Sequence, residues 1–440
     1  MNSEHLLHHK VSRLYLHYLF PTLLAMASNS LYCLADVYFV SIGAGSTGLA
    51  AMNIAMPVFM IYSAIGLTFG VGGATIMSIA EGNKNTLLRN QAFSLSMVLN
   101  ISIGLIVAIL GTMFADTFAY ALGSSEALLL DVKQYLIPVN MGAFVFVLNY
   151  AGAVLLRNDH APKLAMIATI TGNLSNVVLD YIFVIVLKQG LQGAAIVTVL
   201  GTLISVLCMS IHFIRKQHTV HFQWNCMKVS LIKRMCMNGS GSGILELSAG
   251  IVILVFNFVI LQYADEQFLA SFAIVTNIAF VLKGLLNGFA QAAQPIISTN
   301  YGANNKIRAQ EAFFVSLWYS GLFSLCIYIL CLLFPKEVAS IFANQDQELI
   351  ILAGKGIMYY FSGLVSTALL TMYLYYFQSI ESGRIATILA VCKGFIFVLL
   401  FLWGLLWLFG VSAIWFCVPL AETITLFIAW WIRKRGMKNE

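Results

Sequence analysis

Residues 76–96 read IMSIAEGNKNTLLRNQAFSLS, and residues 296–316 read IISTNYGANNKIRAQEAFFVS. The identical pairs at a residue-number offset of 220 are Ile76 and Ile296, Ser78 and Ser298, Gly82 and Gly302, Asn85 and Asn305, Ala92 and Ala312, Phe93 and Phe313, and Ser96 and Ser316. Both stretches run from an apolar segment through a turn rich in Gly and Asn into a second apolar segment. This pattern indicates an internal duplication, which is typical of transporters.

The composition of the chain indicates a membrane protein. Its residues are 60% hydrophobic and 10% charged, with a mean hydropathy of +0.87, whereas soluble proteins carry about 25% charged residues. A spanning helix needs about 20 mostly apolar residues. Twelve segments meet this requirement: 14–40, 48–79, 92–115, 132–156, 164–187, 191–214, 237–263, 268–298, 311–334, 350–378, 385–408 and 411–432.

The predicted fold is an all-α membrane protein with two pseudo-symmetric lobes of six helices around a central cavity. Six helices per half give both halves the same orientation, so the axis relating them runs along the membrane normal. We assign residues 1–214 to the N-lobe, residues 215–236 to a cytoplasmic linker and residues 237–440 to the C-lobe. Ala25-Met26-Ala27 resembles a signal-peptidase site, but apolar sequence continues to Val40, so we expect the first span to be retained.

The distribution of lysine and arginine predicts the orientation, because cytoplasmic loops carry the excess. With a cytoplasmic N-terminus, only Lys133, Lys188 and Lys336 fall outside. Lys283, Lys355 and Lys393 lie within spans or near their ends, and the remaining cations, up to Lys438, fall inside. We therefore expect both termini to be cytoplasmic, and we interpret the net charge of +6 as an orientation signal rather than a nucleic-acid patch.

Several classes of chemistry lack a matching motif. The eight cysteines show no paired-ligand spacing, and the histidines near the N-terminus have no accompanying acidic or cysteine ligands. No GxxxxGK[ST] loop is present, so ATP does not drive this protein through a P-loop. We expect no enzyme activity and no cofactor.

Two aspartates lie inside predicted spans, where a charge costs about 2.5 to 3.5 kcal/mol on insertion scales. Asp36 lies deep in the first span and Asp180 deep in the fifth. Tyr32 and Asn176 each precede one of them by four residues, which places a polar neighbour on the same helix face. Oxygen ligands of this kind suit a hard cation.

A structural role remains an alternative for each aspartate, which would then only hydrogen-bond a neighbouring helix. The duplication bears on this choice. At the offset of 220 Asp36 falls on Phe256, and at 221 Asp180 falls on Phe401. Because the second lobe lacks both carboxylates, the fold does not require them, and we interpret the pair as an ion site.

The chain resembles the multidrug and toxic compound extrusion (MATE) family, nearest to its bacterial branches, over essentially its whole length. The stretches that carry the resemblance are Pro21 with Asp36-Val37-Tyr38-Phe39-Val40, Gly70-Val71-Gly72-Gly73-Ala74 leading to Glu81-Gly82-Asn83, Asn176-Val177-Val178-Leu179-Asp180, Gly193-Ala194-Ala195-Ile196-Val197-Thr198, and Gln294-Pro295 followed by Asn300-Tyr301-Gly302-Ala303. Each is short, but their order and spacing together are specific.

The resemblance implies a cation site in the N-lobe at Asp36, Asn176, Asp180 and Thr198, where Na⁺ or H⁺ would bind. It places Tyr32 in the same cavity and associates Pro21 with bending of the first helix. Some branches of the family instead use acidic residues of the C-lobe.

Glu246 matches that C-lobe position, although Lys283 and Lys393 offer it a simple structural pairing. Glu422 is equally ambiguous. Asn149, Gln291 and Gln294 are further candidates for the substrate cavity, and hydrogen bonding between helices is the alternative role for such residues.

The resemblance implies secondary active efflux of amphipathic cationic drugs by antiport with Na⁺ or H⁺, in a monomeric protein of the bacterial inner membrane. Its partners would be small cationic molecules and the lipid bilayer. The alternative is a flippase for a lipid-linked sugar, which shares the architecture but should carry a more cationic cavity. Either Na⁺ or H⁺ suits the predicted site, and the sequence leaves that choice open.

Overall fold

The computed structural model describes residues 3–216, 218–342 and 346–436. Within these ranges the regular structure is entirely helical, which confirms the predicted all-α membrane fold. The first two residues of the predicted N-lobe, Gln217 of the predicted linker, and the last four residues of the predicted C-lobe, including Lys438, lie outside the described residues.

The first half of the chain forms α1 (Ser3–His8), α2 (Val11–Gly82), α3 (Thr86–Met113), α4 (Ala115–Ala121), α5 (Leu129–Met141), α6 (Ala143–Asn158), α7 (Pro162–Asp180) and α8 (Gly190–Ile214). A π-helical segment, Tyr181–Val186, continues α7. Asn85 begins α3 by accepting a hydrogen bond from the Leu88 N–H, the usual role of Asn at a helix start.

The second half forms α9 (Val229–Tyr263), α10 (Glu266–Gly302), α11 (Lys306–Leu333), α12 (Pro335–Ser340), α13 (Gln347–Tyr360), α14 (Leu364–Ser379), α15 (Gly383–Val391), α16 (Phe397–Phe409) and α17 (Cys417–Gly436). A π-helical segment, Cys392–Ile396, joins α15 to α16. Asn305 begins α11 as Asn85 begins α3, in keeping with the offset seen in the sequence.

Ten helices within the described residues are long and apolar enough to cross a membrane. The pair α5 and α6, bent by 53°, meets the same requirement when taken together. Helix α2 has 72 residues, which is enough for two spans. Its backbone leaves helical geometry at Gly45, where φ is 67°, so the first two predicted spans meet there. Counted in this way, the described residues are consistent with twelve spans.

The duplication recurs in the backbone. Lys84 and Asn304, which correspond at the offset of 220, have φ of 56° and 59°. His160 and Glu381, which correspond at 221, have φ of 62° and 60°. A left-handed conformation is uncommon for residues with a side chain, so its repetition in corresponding turns indicates that the two halves follow the same path.

The two halves approach each other closely at a pair of corresponding glycines. A Cβ atom added to Gly82 would overlap the backbone oxygen of Thr299, and one added to Gly302 would overlap the backbone oxygen of Ile79. Ile79 and Thr299 correspond to each other at the same offset as the two glycines, so the contact is reciprocal. The pseudo-twofold axis therefore passes between α2 and α10 here, and only glycine allows this approach.

The linker packs against the N-lobe. The carboxylate of Asp159 accepts hydrogen bonds from the Thr219 backbone N–H at 3.2 Å and from His212 Nε2 at 2.7 Å, and it forms an ion pair with Arg89 at 3.1 Å. Burial by itself would raise the pKa of Asp159, but these hydrogen bonds and the Arg89 charge hold that pKa below its usual value. We call the end of the molecule that contains these residues the linker end.

The linker is shorter in the structure than the predicted range 215–236. Helix α9 already begins at Val229, and Arg234 in its second turn forms an ion pair with Glu381 of the C-lobe at 2.6 Å. Lys228, Lys233 and Arg234 gave this region the polarity of a loop. In the structure those charges lie at the end of a long apolar helix, where cations are expected beside a membrane.

Candidate functional site

Helices α2, α7 and α8 hold the four residues of the predicted cation site. Asp36, Asn176, Asp180 and Thr198 are each at most 3% exposed. Asp36 and Asp180 interact electrostatically with each other, so the structure brings the two carboxylates of the N-lobe into one region. Among the described residues, neither takes part in an ion pair.

Several polar atoms of this region lack hydrogen-bond partners. They are Oδ1 of Asp36, both carboxylate oxygens of Asp180, and both amide atoms of Asn176. The hydroxyl of Thr198 donates to the backbone oxygen of Ala194 at 2.9 Å, which leaves its lone pairs available. Buried polar groups are normally hydrogen-bonded, so these oxygens are suited to bind a proton or a cation.

A polar pocket lies beside the carboxylates. Its lining includes Asn29, Tyr32, Asn149, Asn173, Asn176, Thr198, Thr202 and Ser205. Two residues of the predicted cation site, Asn176 and Thr198, thus also line this pocket. The Ser205 hydroxyl donates to Asn149 Oδ1 at 2.8 Å, which fixes the amide of Asn149 at the pocket wall. Tyr32 and Asn149 both line this pocket, and their contact with a substrate stays a prediction.

Other residues of this region were not identified from the sequence. Tyr135 of α5 is fully buried and interacts electrostatically with both Asp36 and Asp180. Nothing in its neighbours along the chain marks it, because the contact is tertiary. Asn173 could have been identified from the sequence, because it lies one turn before Asn176 and so shares its helix face.

Glu246 interacts with one of the two expected lysines, Lys283, and also with a serine of the N-lobe. Its Oε2 accepts a hydrogen bond from the Ser63 hydroxyl at 3.4 Å, and Ser63 belongs to the N-lobe. Lys393 instead forms an ion pair with Glu422 at 3.3 Å. Lys283 interacts electrostatically with both Glu246 and Glu422. Pairing of Glu246 with Lys393 is thus not what the structure contains, because Glu422 lies nearer to that lysine.

Gln291 and Gln294 lie in the interface between the lobes. Gln294 Nε2 donates to the Thr75 hydroxyl at 3.1 Å, and Gln291 accepts a hydrogen bond from the Arg157 guanidinium. Gln291 is 6% and Gln294 1% exposed. In this conformation both glutamines hold the linker-end halves of the lobes together, and the interhelical hydrogen bonding considered as their alternative role is present.

Pro21 is buried inside α2. Its missing N–H removes one helical hydrogen bond, yet the described break in α2 lies at Gly45 and not at Pro21. The role of Pro21 in bending stays a prediction.

The site's donor set consists of carboxylate, amide and hydroxyl oxygens, which suit Na⁺ or a proton. Within the described part of the chain, no three His, Cys, Asp or Glu side chains come together as a metal site. Transition-metal ions prefer imidazole and thiolate ligands, and the N-lobe region contains neither in such a group.

Comparison with known proteins gives a consistent result. The MatE family model matches residues 21–182 and 247–403, together well over half of the chain. The chain is 24% identical to the multidrug export protein MepA of Staphylococcus haemolyticus (strain JCSC1435), covering 98% of this chain and 96% of the relative. It is 23% identical to MepA of Staphylococcus aureus (strain MSSA476), covering 94% and 91%.

The fold is also similar to solved structures. The structure superimposes on the crystal structure of MATE in complex with MaL6 with a TM-score of 0.93. That comparison covers 100% of both chains at 23% sequence identity. At this level of identity the similarity concerns the fold alone.

Proposed function

This chain belongs to the MATE family of membrane transporters, and from this premise we propose that it exports multiple drugs from the cell by antiport with Na⁺ or H⁺. As a member of that family it is a multi-pass membrane transporter and not an enzyme. The MepA relatives are multidrug export proteins by name, which supports drug export here. They give no support to the flippase alternative.

One observation carries the ion coupling: Asp36 and Asp180, buried in one lobe of a duplicated fold, have unpartnered oxygens and correspond to phenylalanines in the other lobe. The proposed ion ligands are Asp36, Asn176, Asp180 and Thr198. A cation entering from outside neutralises the acidic pair, and a cationic drug competes for the same negative charge. Coupling follows because the two ligands cannot both neutralise the pair.

The substrate cavity is proposed to include Tyr32 and Asn149 in the N-lobe pocket. Glu246, Gln291 and Gln294 would contact the drug only when the linker-end interface between the lobes opens. Pro21 would contribute to that change by weakening α2. The proposed substrates are amphipathic cations, whose charge complements the acidic pair and whose rings pack on aromatic side chains.

The proposed orientation places the linker end in the cytoplasm of a bacterial cell, with the protein in the inner membrane as a monomer. The cations of the linker and of the neighbouring turns then lie on the inside, in accordance with the positive-inside rule. No cofactor is proposed, since the ion gradient supplies the energy. One charge moving down 100 mV provides about 2.3 kcal/mol, which sustains a drug gradient of roughly fifty-fold at about 1.4 kcal/mol per decade.

The test is ethidium efflux from proteoliposomes containing only the purified protein. A Na⁺ gradient and a pH gradient are imposed separately on the wild type and on Asp36→Asn. We expect efflux to follow at least one gradient in the wild type and to be lost in the variant. Full gradient-driven efflux by Asp36→Asn would contradict the proposed coupling, and absence of efflux in the wild type would contradict drug antiport itself.

A further inference from the structure

The C-lobe contains its own buried acid, and a lysine of the same lobe neutralises it. Lys393 Nζ lies 3.3 Å from Glu422 Oε1. The side chain of Glu422 is 1% exposed and that of Lys393 is 14% exposed. The pair joins the helical segment around Lys393 to α17.

Lys393 and Glu422 lie on the C-lobe counterparts of the helices that hold the N-lobe cation site. At an offset of 221 Lys393 corresponds to Gly172 of α7, and at 218 Glu422 corresponds to Ile204 of α8. Gly172 lines the N-lobe pocket, and Ile204 lies between the lining residues Thr202 and Ser205. The ion pair therefore occupies the C-lobe position that corresponds to the polar pocket.

The two corresponding helices also each contain a π-helical segment, although at different positions: at the offset of 221, Tyr181–Val186 falls on residues 402–407 and not on Cys392–Ile396. A π-helical segment directly follows Asp180 in the N-lobe, and another contains Lys393 in the C-lobe. Such segments are rare and occur frequently at functional sites. In each lobe, the corresponding helix thus has a π-helical turn beside its charged residue, which is an acid in one lobe and a base in the other.

The balance of charge differs between the two regions. In the C-lobe, Glu246 and Glu422 interact with Lys283 and Lys393, so two acids face two lysines. In the N-lobe, Asp180 interacts with Asp36, which is another acid, and within the described residues neither forms an ion pair with a base. A cation is thus built into the chain in the C-lobe, whereas the N-lobe requires one from solution.

We propose that Lys393 is a tethered cation that occupies the C-lobe equivalent of the polar pocket beside the ion site, so that coupling ions bind only in the N-lobe. The inference rests on the proposed cation coupling of the N-lobe. It makes Lys393 a residue that determines ion stoichiometry, and it makes Glu422 a latent cation site. Removal of the lysine charge leaves one acid of the cluster unbalanced, whichever acid Lys283 then approaches. A small cation or a proton from solution then neutralises that acid in place of Lys393.

The experiment measures cation-dependent thermal stability of the full-length protein in detergent. All variants carry Asp36→Asn/Asp180→Asn, so that neither N-lobe acid binds the added cations, and the protein with these two changes alone is the parent. The variants are Lys393→Met, the charge-preserving Lys393→Arg, and the neutral double variant Lys393→Met/Glu422→Gln. Each is titrated with Na⁺, with ethylammonium as a mimic of the lysine head group, and with protons between pH 8 and 6, while N-methylglucamine keeps the ionic strength constant.

We expect Lys393→Met to have a lowered Tm that rises with at least one of the three cations. Such a rise reflects binding to the folded state. The Tm of the parent, of Lys393→Arg and of the double variant should be insensitive to the same additions. A flat response of Lys393→Met to all three cations would overturn the inference, and so would an equal rise in Lys393→Arg or in the double variant.

A variant that does not fold also tests the inference. If Lys393→Met does not accumulate but the double variant does, the lysine charge is needed only because Glu422 is present, which supports the inference. If both fail to accumulate, Lys393 has another role and the inference is wrong. Because no transport is measured, failure here is distinct from failure of the proposed function, which the efflux of the wild type and of Asp36→Asn decides.

Discussion

The pockets of the two lobes occupy corresponding places but differ in chemistry. The lining of the N-lobe pocket includes several amides and hydroxyls, whereas that of the C-lobe pocket includes Lys283 and Tyr360. The corresponding lining residues are Phe59 and Ala279, Phe146 and Thr367, and Gly201 and Pro419. One duplicated scaffold therefore carries an acidic region in one lobe and a neutralised one in the other.

This comparison separates the residues that stabilise the fold, which both lobes share, from the residues proposed to act in transport, which only one lobe contains. The reciprocal contact of Gly82 and Gly302 is preserved in both halves because it depends on backbone approach. The carboxylates Asp36 and Asp180 are not preserved between the halves, and a buried unpaired acid costs stability. A costly feature present in one copy only is best explained by function.

The largest effect is expected from removing the N-lobe acids, which distinguish this lobe from the other. Asp36→Asn and Asp180→Asn should each abolish gradient-driven efflux, since the roughly fifty-fold gradient available from one charge at 100 mV is no longer coupled. The measurement is ethidium efflux from proteoliposomes. Asp116→Asn is a matched control, because the side chain of Asp116 is 60% exposed and paired with Lys133. Loss of efflux in this control would show that any aspartate change is harmful.

The second test addresses the contact shared by both lobes. Gly82→Ala and Gly302→Ala should each destabilise the protein by about 1 to 3 kcal/mol, as overpacking does, because the new methyl group meets a backbone oxygen. Thermal unfolding in detergent measures the effect. Gly284→Ala is the control, since an added Cβ there has nothing within 4 Å, and this change should be neutral or stabilising. A larger loss of stability in Gly284→Ala than in Gly82→Ala and Gly302→Ala would contradict this role of the two glycines in packing.

The third test asks whether the C-lobe acid contributes to coupling. Glu246→Gln can still accept a hydrogen bond from Ser63, whose hydroxyl lies 3.4 Å from the carboxylate. We expect it to lose less than about tenfold of the efflux rate, or about 1.4 kcal/mol. Gradient-driven efflux is measured beside that of Asp36→Asn. A complete loss in Glu246→Gln would show that both lobes couple ions.

The fourth test concerns the linker and measures stability rather than transport. The folded-state pKa of Asp159 is lowered, so its stabilisation is present above the unfolded pKa of about 3.9 and is lost as the pH falls through the lower folded value. Asp159→Asn should cost about 1 to 3 kcal/mol from pH 5 to 8, and the difference in Tm should shrink below about pH 4. A difference that persists unchanged at pH 3 would contradict a charge-based role.

Sequence patterns were sufficient for features that are local to one helix. The apolar runs predicted the spans, and the spacing of Asn176 and Asp180 placed them on one face. The start of α9 at Val229 was missed because lysines at a membrane boundary look like a loop. Tertiary contacts were also inaccessible: the pairing of Lys393 with Glu422 and the nearness of Tyr135 to the acids depend on how separate helices pack.

The most direct test of the comparison is competition between drug and cation on the purified protein. Ethidium binding is measured by fluorescence while Na⁺ or protons are added, for the wild type, for Asp36→Asn/Asp180→Asn and for Glu246→Gln. We predict that at least one cation displaces ethidium from the wild type and from Glu246→Gln, and that neither does so in the double variant. Undiminished competition in Asp36→Asn/Asp180→Asn would place the coupling ion outside the N-lobe acids.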